Sequence, residues 1–213
     1  DVSRGDMVVA LNVAALWNPG WSVVPNGCLP VRLGGLDAAG LSFANGAFQL
    51  CPLSGALIAA DANSNLSGGF TIRGLGLNGR MAGPEAQPAR LSAANVVGRF
   101  SGHTSAMTLA LVADTPNLSI DMAEERTLAI ALQRATADAH IGDGTWRVDG
   151  AFERGSLADP TLPGAISTLA GRWSAAPEND KPVIRVTAAE ALLTAAQPVS
   201  TEERPMFNPL RMA

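Results

Sequence analysis

Apolar and polar residues alternate with a period of two along most of this chain, in runs broken by Gly, Asn, Asp and Pro. That period marks half-buried β-strands. Residues 6–14 set Met7, Val9, Leu11 and Val13 on one side, and the Pro-, Gly- and Trp-containing stretch 17–30 reads as a loop. Beyond it Leu41, Phe43, Ala47 and Phe48 flank Asn45-Gly46, a hairpin-turn or bulge dipeptide. Over 69–81, Phe70 and Ile72 share one parity and Leu75 and Leu77 the other, so a bulge or bend is expected at Gly74.

The alternation continues over 90–101 (Val96, Phe100), 106–113 (Met107, Leu109, Leu111) and 127–139 (Leu128, Ile130, Leu132). It resumes over 145–153 (Trp146, Val148, Phe152), 168–174 (Leu169, Trp173) and 182–194 (Ile184, Val186, Ala188, Leu192). About nine or ten strands at this spacing predict an all-β antiparallel meander with few or short helices. Over 124–139 a helix competes, because Leu128, Leu132 and Ala135 would also line one helical face. The alternation through Leu132 points to strand. The chain reads as one β-rich unit over 1–213, with a candidate sub-boundary near 52–66.

A short echo runs through the strands. Val97-Gly98-Arg99-Phe100, Asp149-Gly150-Ala151-Phe152 and Ala170-Gly171-Arg172-Trp173 each place Gly two residues before an aromatic, on the same strand face. A ring lying over a glycine is the expected consequence.

Composition narrows the class. Charged residues are 16% of the chain, against roughly 25% in typical soluble domains. Hydrophobic residues reach 47% while aromatics are 5% and Tyr is absent, so the apolar mass is largely Ala, Leu and Val. Such residues suit closely packed strands or a surface kept apolar. A net charge of −4 with no basic cluster argues against nucleic acid. No 18 consecutive apolar residues occur, so no helical span is expected. The chain opens at Asp1 without a signal peptide and is read as a piece of a longer protein.

Candidate chemistry is sparse. Cys28 and Cys51, each near a Pro, are either two buried thiols or a disulfide; the disulfide is the reading that fits an oxidising compartment. His103 and His140, the two histidines, read as exposed turn residues. A Ser105/His140/Asp143 triad can be written, but no nucleophile-elbow pattern accompanies it. Residues 74–79 spell Gly-Leu-Gly-Leu-Asn-Gly, the dinucleotide fingerprint, yet the chain runs on through Gly83-Pro84 into another strand rather than a helix. Asp61, Asn63 and Asn65 alternate like a calcium loop, but Leu66 stands where glycine is required and no Glu closes it. No metal or cofactor is expected, and no enzyme activity. Arg4-Gly5-Asp6 reads as a polar turn, and Glu124-Glu125 as a solvated one.

Three stretches resemble a known family: Leu66-Ser67-Gly68-Gly69-Phe70-Thr71-Ile72-Arg73, Gly171-Arg172-Trp173-Ser174-Ala175-Ala176-Pro177 and Glu203-Arg204-Pro205-Met206-Phe207-Asn208-Pro209-Leu210. They are similar to the periplasmic β-rich region of the YdbH-like branch of the AsmA/TamB superfamily of bacterial envelope proteins. The resemblance implies a periplasmic chain, anchored to the inner membrane by a segment outside this sequence. It also implies a long, curved, twisted sheet folded into a taco-like groove that passes phospholipids toward the outer membrane. The partners implied are phospholipid acyl chains and neighbouring segments of the same longer chain; no catalytic residue is implied.

An apolar trough of this kind would shelter each CH₂ of an acyl chain for roughly 0.8 kcal/mol without any specific polar site. The residues expected to form its wall, or an ordinary core, are Phe70, Ile72, Met107, Leu109, Leu111, Ile130, Leu132, Val148, Phe152 and Ile184. The rival expectation is a closed β-sandwich or barrel with a dry core, serving envelope assembly. Four Trp and six Phe are few to fill such an interior.

Overall fold

The computed structural model describes residues 2–9, 12–17, 19–38, 41–44, 46–81, 86–122, 126–142, 144–159, 164–178, 181–195 and 210–212. Leu11, Asn45, Gly83, Pro84, Glu124, Glu125, Asp143 and residues 203–209, which figure in the expectations above, lie outside them. Among the described residues there is no helix, and seventeen strands join one sheet in which every pair is antiparallel. The period-two pattern therefore wins throughout, including over 127–139, where alanine content had made a helix a competitor.

The first strands are β1 (Val2–Val9), β2 (Val13–Trp17), β3 (Trp21–Pro25), β4 (Leu29–Ala38), β5 (Leu41–Ala44), β6 (Gly46–Pro52) and β7 (Ile58–Ala60). They are followed by β8 (Leu66–Met81), β9 (Pro88–His103), β10 (Ala106–Asp114), β11 (Asn117–Asp121), β12 (Thr127–Ala131) and β13 (Arg134–Gly142). The series ends with β14 (Thr145–Ala158), β15 (Gly164–Glu178), β16 (Lys181–Ala195) and β17 (Leu210–Met212). Three expectations are corrected. Arg4-Gly5-Asp6 is not a turn but lies within β1, opposite Asp37, Leu36 and Gly35 of β4. The stretch 17–30 is not all loop, because β3 lies inside it and pairs with both β2 and β7. The run 127–139 is not one strand but two, interrupted at Leu132-Gln133.

From β8 onward the sheet is a stack of long rungs. β8 pairs with β9; β9 pairs with β10 over one half and β11 over the other; β10 and β11 pair with β13 and β12; and β14, β15 and β16 follow in turn. β10 with β11, and β12 with β13, are thus single rungs broken at mid-length without loss of register. A rung of 16 residues such as β8 extends about 50 Å. Upstream, β5, β6 and β7 lie end to end along β8; β4 covers β5 and β6, and β1 pairs with β4.

The alternation skips a beat at the middle of every rung. Arg73-Gly74, Ala94-Asn95, Asp114-Thr115, Gln133-Arg134, Glu153-Arg154 and Ser167-Thr168 are consecutive residues turned away from the apolar side, so apolar residues before and after each pair stay on one side. Gly74, Thr115, Arg154 and Thr168 have left-handed φ values of 62°, 48°, 47° and 54°. Such a residue turns the strand sharply. From β8 to β14 neighbouring rungs skip at the same level, so Arg73 still faces Asn95 and Leu75 still faces Ala93, whereas β14 and β15 skip at positions about two residues apart and their register shifts there. The parity change expected at Gly74 is therefore part of a fold line that runs in step from β8 to β14 and continues, offset, into β15, dividing these rungs into two walls.

Little of this sheet is covered by a second layer. The apolar residues that are buried include Leu29, Val31, Phe43, Leu77 and Ala89, toward the β4–β9 half, and Leu29 and Val31 are the largest side chains among them that are fully buried. The surface area is 13629 Å², whereas a compact protein of 21.9 kDa exposes roughly 9,300 Å².

Candidate functional site

Directly paired residues on neighbouring strands share a face, so the register defines the walls. On the first wall one row runs Phe70, Gly98, Leu111, Ala137, Gly150, Trp173 and Val186. The next runs Gly68, Phe100, Leu109, Ala139, Val148, Ala175 and Ile184, and a third runs Ile72, Val96, Ala113, Ala135, Phe152 and Gly171. Every position is apolar or glycine. Across the fold line the second wall carries Leu77, Leu91, Leu118, Ile130, Leu157, Ile166 and Leu193 in one unbroken row.

The opposite side is largely polar, although one of its rows, Thr71, Val97, Val112, Thr136, Ala151 and Arg172, includes two valines. Ser101, Thr108, His140 and Arg147 form one outer row, and Arg99, Ala110, Asp138, Asp149, Ser174 and Arg185 another. Arg147 Nε and Nη2 donate to Asp149 Oδ2 and Oδ1 at 2.7 and 2.8 Å, which holds that carboxyl below the usual aspartate range. Along the outer ridge of the fold line, Arg73, Asn95, Asp114, Arg134 and Glu153 face one another in succession, with mostly complementary charge. Asn95 Nδ2 donates to Asp114 Oδ2 at 3.4 Å.

All ten residues expected on the wall lie on the apolar side. Phe70, Ile72, Met107, Leu109, Leu111, Val148, Phe152 and Ile184 are on the first wall; Ile130 and Leu132 are on the second. They are half-buried, except Ile184, which is 65% exposed on the outermost long rung. The rest of the second wall, Leu77, Leu91, Leu118, Leu157, Ile166 and Leu193, was missed. The signal was two consecutive polar residues at mid-strand in rung after rung, which shifts the apolar parity by one.

The echo of glycine and aromatic has a cross-strand cause. A Cβ on Gly98 would overlap the Phe70 ring, one on Gly68 the Phe100 ring, and one on Gly150 the Trp173 ring. Each ring thus covers the glycine of the neighbouring strand rather than its own. Gly68-Gly69-Phe70 is a further copy, paired with Gly98-Arg99-Phe100, and Gly150-Ala151-Phe152 pairs with Gly171-Arg172-Trp173 in the same reciprocal way. Rings laid flat on glycines keep the wall low.

Other candidate chemistry falls away from the walls. Cys28 and Cys51 are bonded to each other as a disulfide across β4 and β6, beside the Leu29–Leu50 pair. His140 is not in a turn; it lies on β13 opposite Thr108 and Arg147, exposed on the outer side. Ser105 Oγ sits 3.2 Å from His103 Nδ1 instead, at an exposed turn. Asp61 spends its carboxylate on its own loop: Asn65 Nδ2 donates to Oδ2 at 2.9 Å, and the Asn65 and Asn63 backbone N–H groups donate to Oδ1 at 2.9 and 2.8 Å. The fingerprint over 74–79 lies wholly within β8, with Gly74 at the fold line and Gly79 beneath Phe43. A cavity of about 940 Å³ lies mainly on the polar side, between Leu53, Ala56 and the outer residues Arg99, Thr108, Asp138 and His140.

Comparison with family models, curated proteins and solved structures finds no match for this chain. The two-walled apolar side and its largely polar reverse therefore carry the functional argument by themselves.

Proposed function

We propose that this chain holds lipid acyl chains along the apolar side of its folded sheet, as one segment of a protein that moves phospholipid across the bacterial envelope. One observation carries the reading: both walls present unbroken apolar rows that are mostly half-buried, while the reverse of the same strands is largely polar. A sheet packed on a second layer would bury those rows. Here the hydrophobic contribution of Leu109, Leu111, Val148 and their neighbours remains available to a ligand, at roughly 25 cal/mol for each Å² covered. Because the rows run from rung to rung without a polar interruption, a tail can shift along them with little change in energy. That favours passage over capture. The rows support action by binding, and the family resemblance alone suggests the setting, a periplasmic segment anchored through other parts of a longer chain.

The test compares two adjacent residues on opposite sides of β10. Leu109→Asp places a charge on the wall, and Thr108→Asp places the same charge on the outer row. Mass spectrometry of an organic extract of the purified chain, with uptake of a fluorescent fatty acid, should show lipid lost in Leu109→Asp and kept in Thr108→Asp. Lipid-free wild-type protein that takes up no probe would sink the proposal in favour of an envelope-assembly module.

A further inference from the structure

We infer that the lip of the first wall, tipped by the β2–β3 hairpin, docks on the interface of an electrically neutral lipid bilayer. The row nearest the hairpin turns runs Trp17, Trp21, Leu66, Met107, Ile141 and Trp146, linked through the Trp17–Trp21, Met107–Ile141 and Ile141–Trp146 pairs. Three of the chain's four Trp stand in this one row. Trp17 is 75% exposed, its neighbour Leu16 57% and Ile141 52%. An indole couples an apolar ring to a single N–H donor, the combination that suits the boundary between acyl chains and headgroups.

Charge argues for a bilayer and for its kind. Residues 7–31, which span both hairpin strands, hold no Asp, Glu, Lys, Arg or His. A specific protein interface surrounds its apolar centre with a polar, hydrogen-bonding rim, and an anionic membrane is recognised through Lys and Arg. The hairpin has no charged side chain for either purpose, and Asn12, Asn18, Ser22 and Asn26 are its few polar ones; an uncharged, largely apolar strip of this kind partitions into a neutral interface. The strip is also continuous with the trough, since Val23 pairs with Ile58, Ile58 with Gly68, and Gly68 with Phe100 on the first wall. The lip is thus a ramp from bilayer to wall. The inference rests on the lipid-holding reading above, whose partner membrane it names.

The experiment uses the full chain with phosphatidylcholine vesicles, co-sedimentation and the blue shift of Trp fluorescence. Wild-type protein should bind, with little change on adding salt or anionic lipid. The Leu16→Ser/Trp17→Ser double variant should bind about tenfold or more weakly, with unchanged far-UV circular dichroism and unchanged fatty-acid uptake. Leu109→Asp should do the reverse, losing uptake and keeping vesicle binding. Equal vesicle binding by the double variant overturns the inference. So does wild-type binding that needs anionic lipid, or a hairpin-dependent dimer that ignores vesicles. Hairpin-dependent vesicle binding by a chain that takes up no fatty acid upholds the docking and defeats the trough.

Discussion

Gly98 and Gly150 are held as glycine by rings on the neighbouring strand, not by their backbone angles. Neither is left-handed, and a methyl group at either would collide with the Phe70 or Trp173 ring. Gly98→Ala and Gly150→Ala are therefore expected to lower stability by about 1–3 kcal/mol, the usual cost of overpacking, measured by urea unfolding. Phe70→Leu combined with Gly98→Ala should recover part of that loss. Thr115 and Thr168 present the opposite case. Both are β-branched and left-handed, a conformation that costs a non-glycine residue about 1–2 kcal/mol. Thr115→Gly should leave stability unchanged or raise it, because relief of that strain offsets the added freedom of the unfolded chain. Asp61 supplies a pH dependence. Hydrogen bonds from Asn65 and Asn63 lower its pKa in the folded state, so its contribution is present above the ordinary aspartate range and lost as pH falls through the lowered value. Asp61→Asn should flatten the acid limb of a stability-versus-pH curve.

Elements differ in how they are secured. Long rungs such as β8 and β9 face each other over most of their length, so their register is fixed many times over. The β4–β6 pair is short and is tied by the Cys28–Cys51 disulfide, whose ends are 23 residues apart. Closing a loop of that length removes about 3 kcal/mol of unfolded-state entropy. Dithiothreitol, or Cys28→Ser/Cys51→Ser, should lower the unfolding midpoint accordingly while leaving β9–β15 folded, as amide exchange resolved by segment would reveal. β16 has an open edge among the described residues: β17 pairs with it only over 191–193, and Ile184 and Val186 are 65% and 60% exposed. A further strand on that edge would cover both its backbone and its apolar row.

At the scale of the whole molecule, the apolar rows gain meaning only when neighbouring rungs are stacked. Leu77, Leu91, Leu118, Ile130, Leu157 and Ile166 come from six different rungs, and their sequence spacing betrays no kinship. If they line a trough, a charge at Leu118 should impair fatty-acid uptake as Leu109→Asp does, though the two lie on different walls. A charge at Ser119, one residue on and on the other side, should not. Matching losses on both walls would mark one binding surface; a loss on only one would mean that the walls work apart.

What the sequence determined by itself was local. Alternation in β8, β9, β10, β14 and β16 was enough to assign strand and to name an apolar side, because side-chain direction in a strand depends on parity alone. It also singled out Phe70, Leu109 and Val148, which strand pairing sets in the apolar rows. Where parity was interrupted it misled: the run 127–139 looked like one strand with a helical rival, and the second wall went unrecognised. Only the tertiary structure decided that the interruptions at Gly74, Thr115 and Arg154 stand at one level, since a strand cannot register its neighbour's bend until the two are paired. The same reason hides the glycine–aromatic pairs. Each ring and the glycine it covers lie on different strands, and it is pairing across the sheet, not order along the chain, that brings them together.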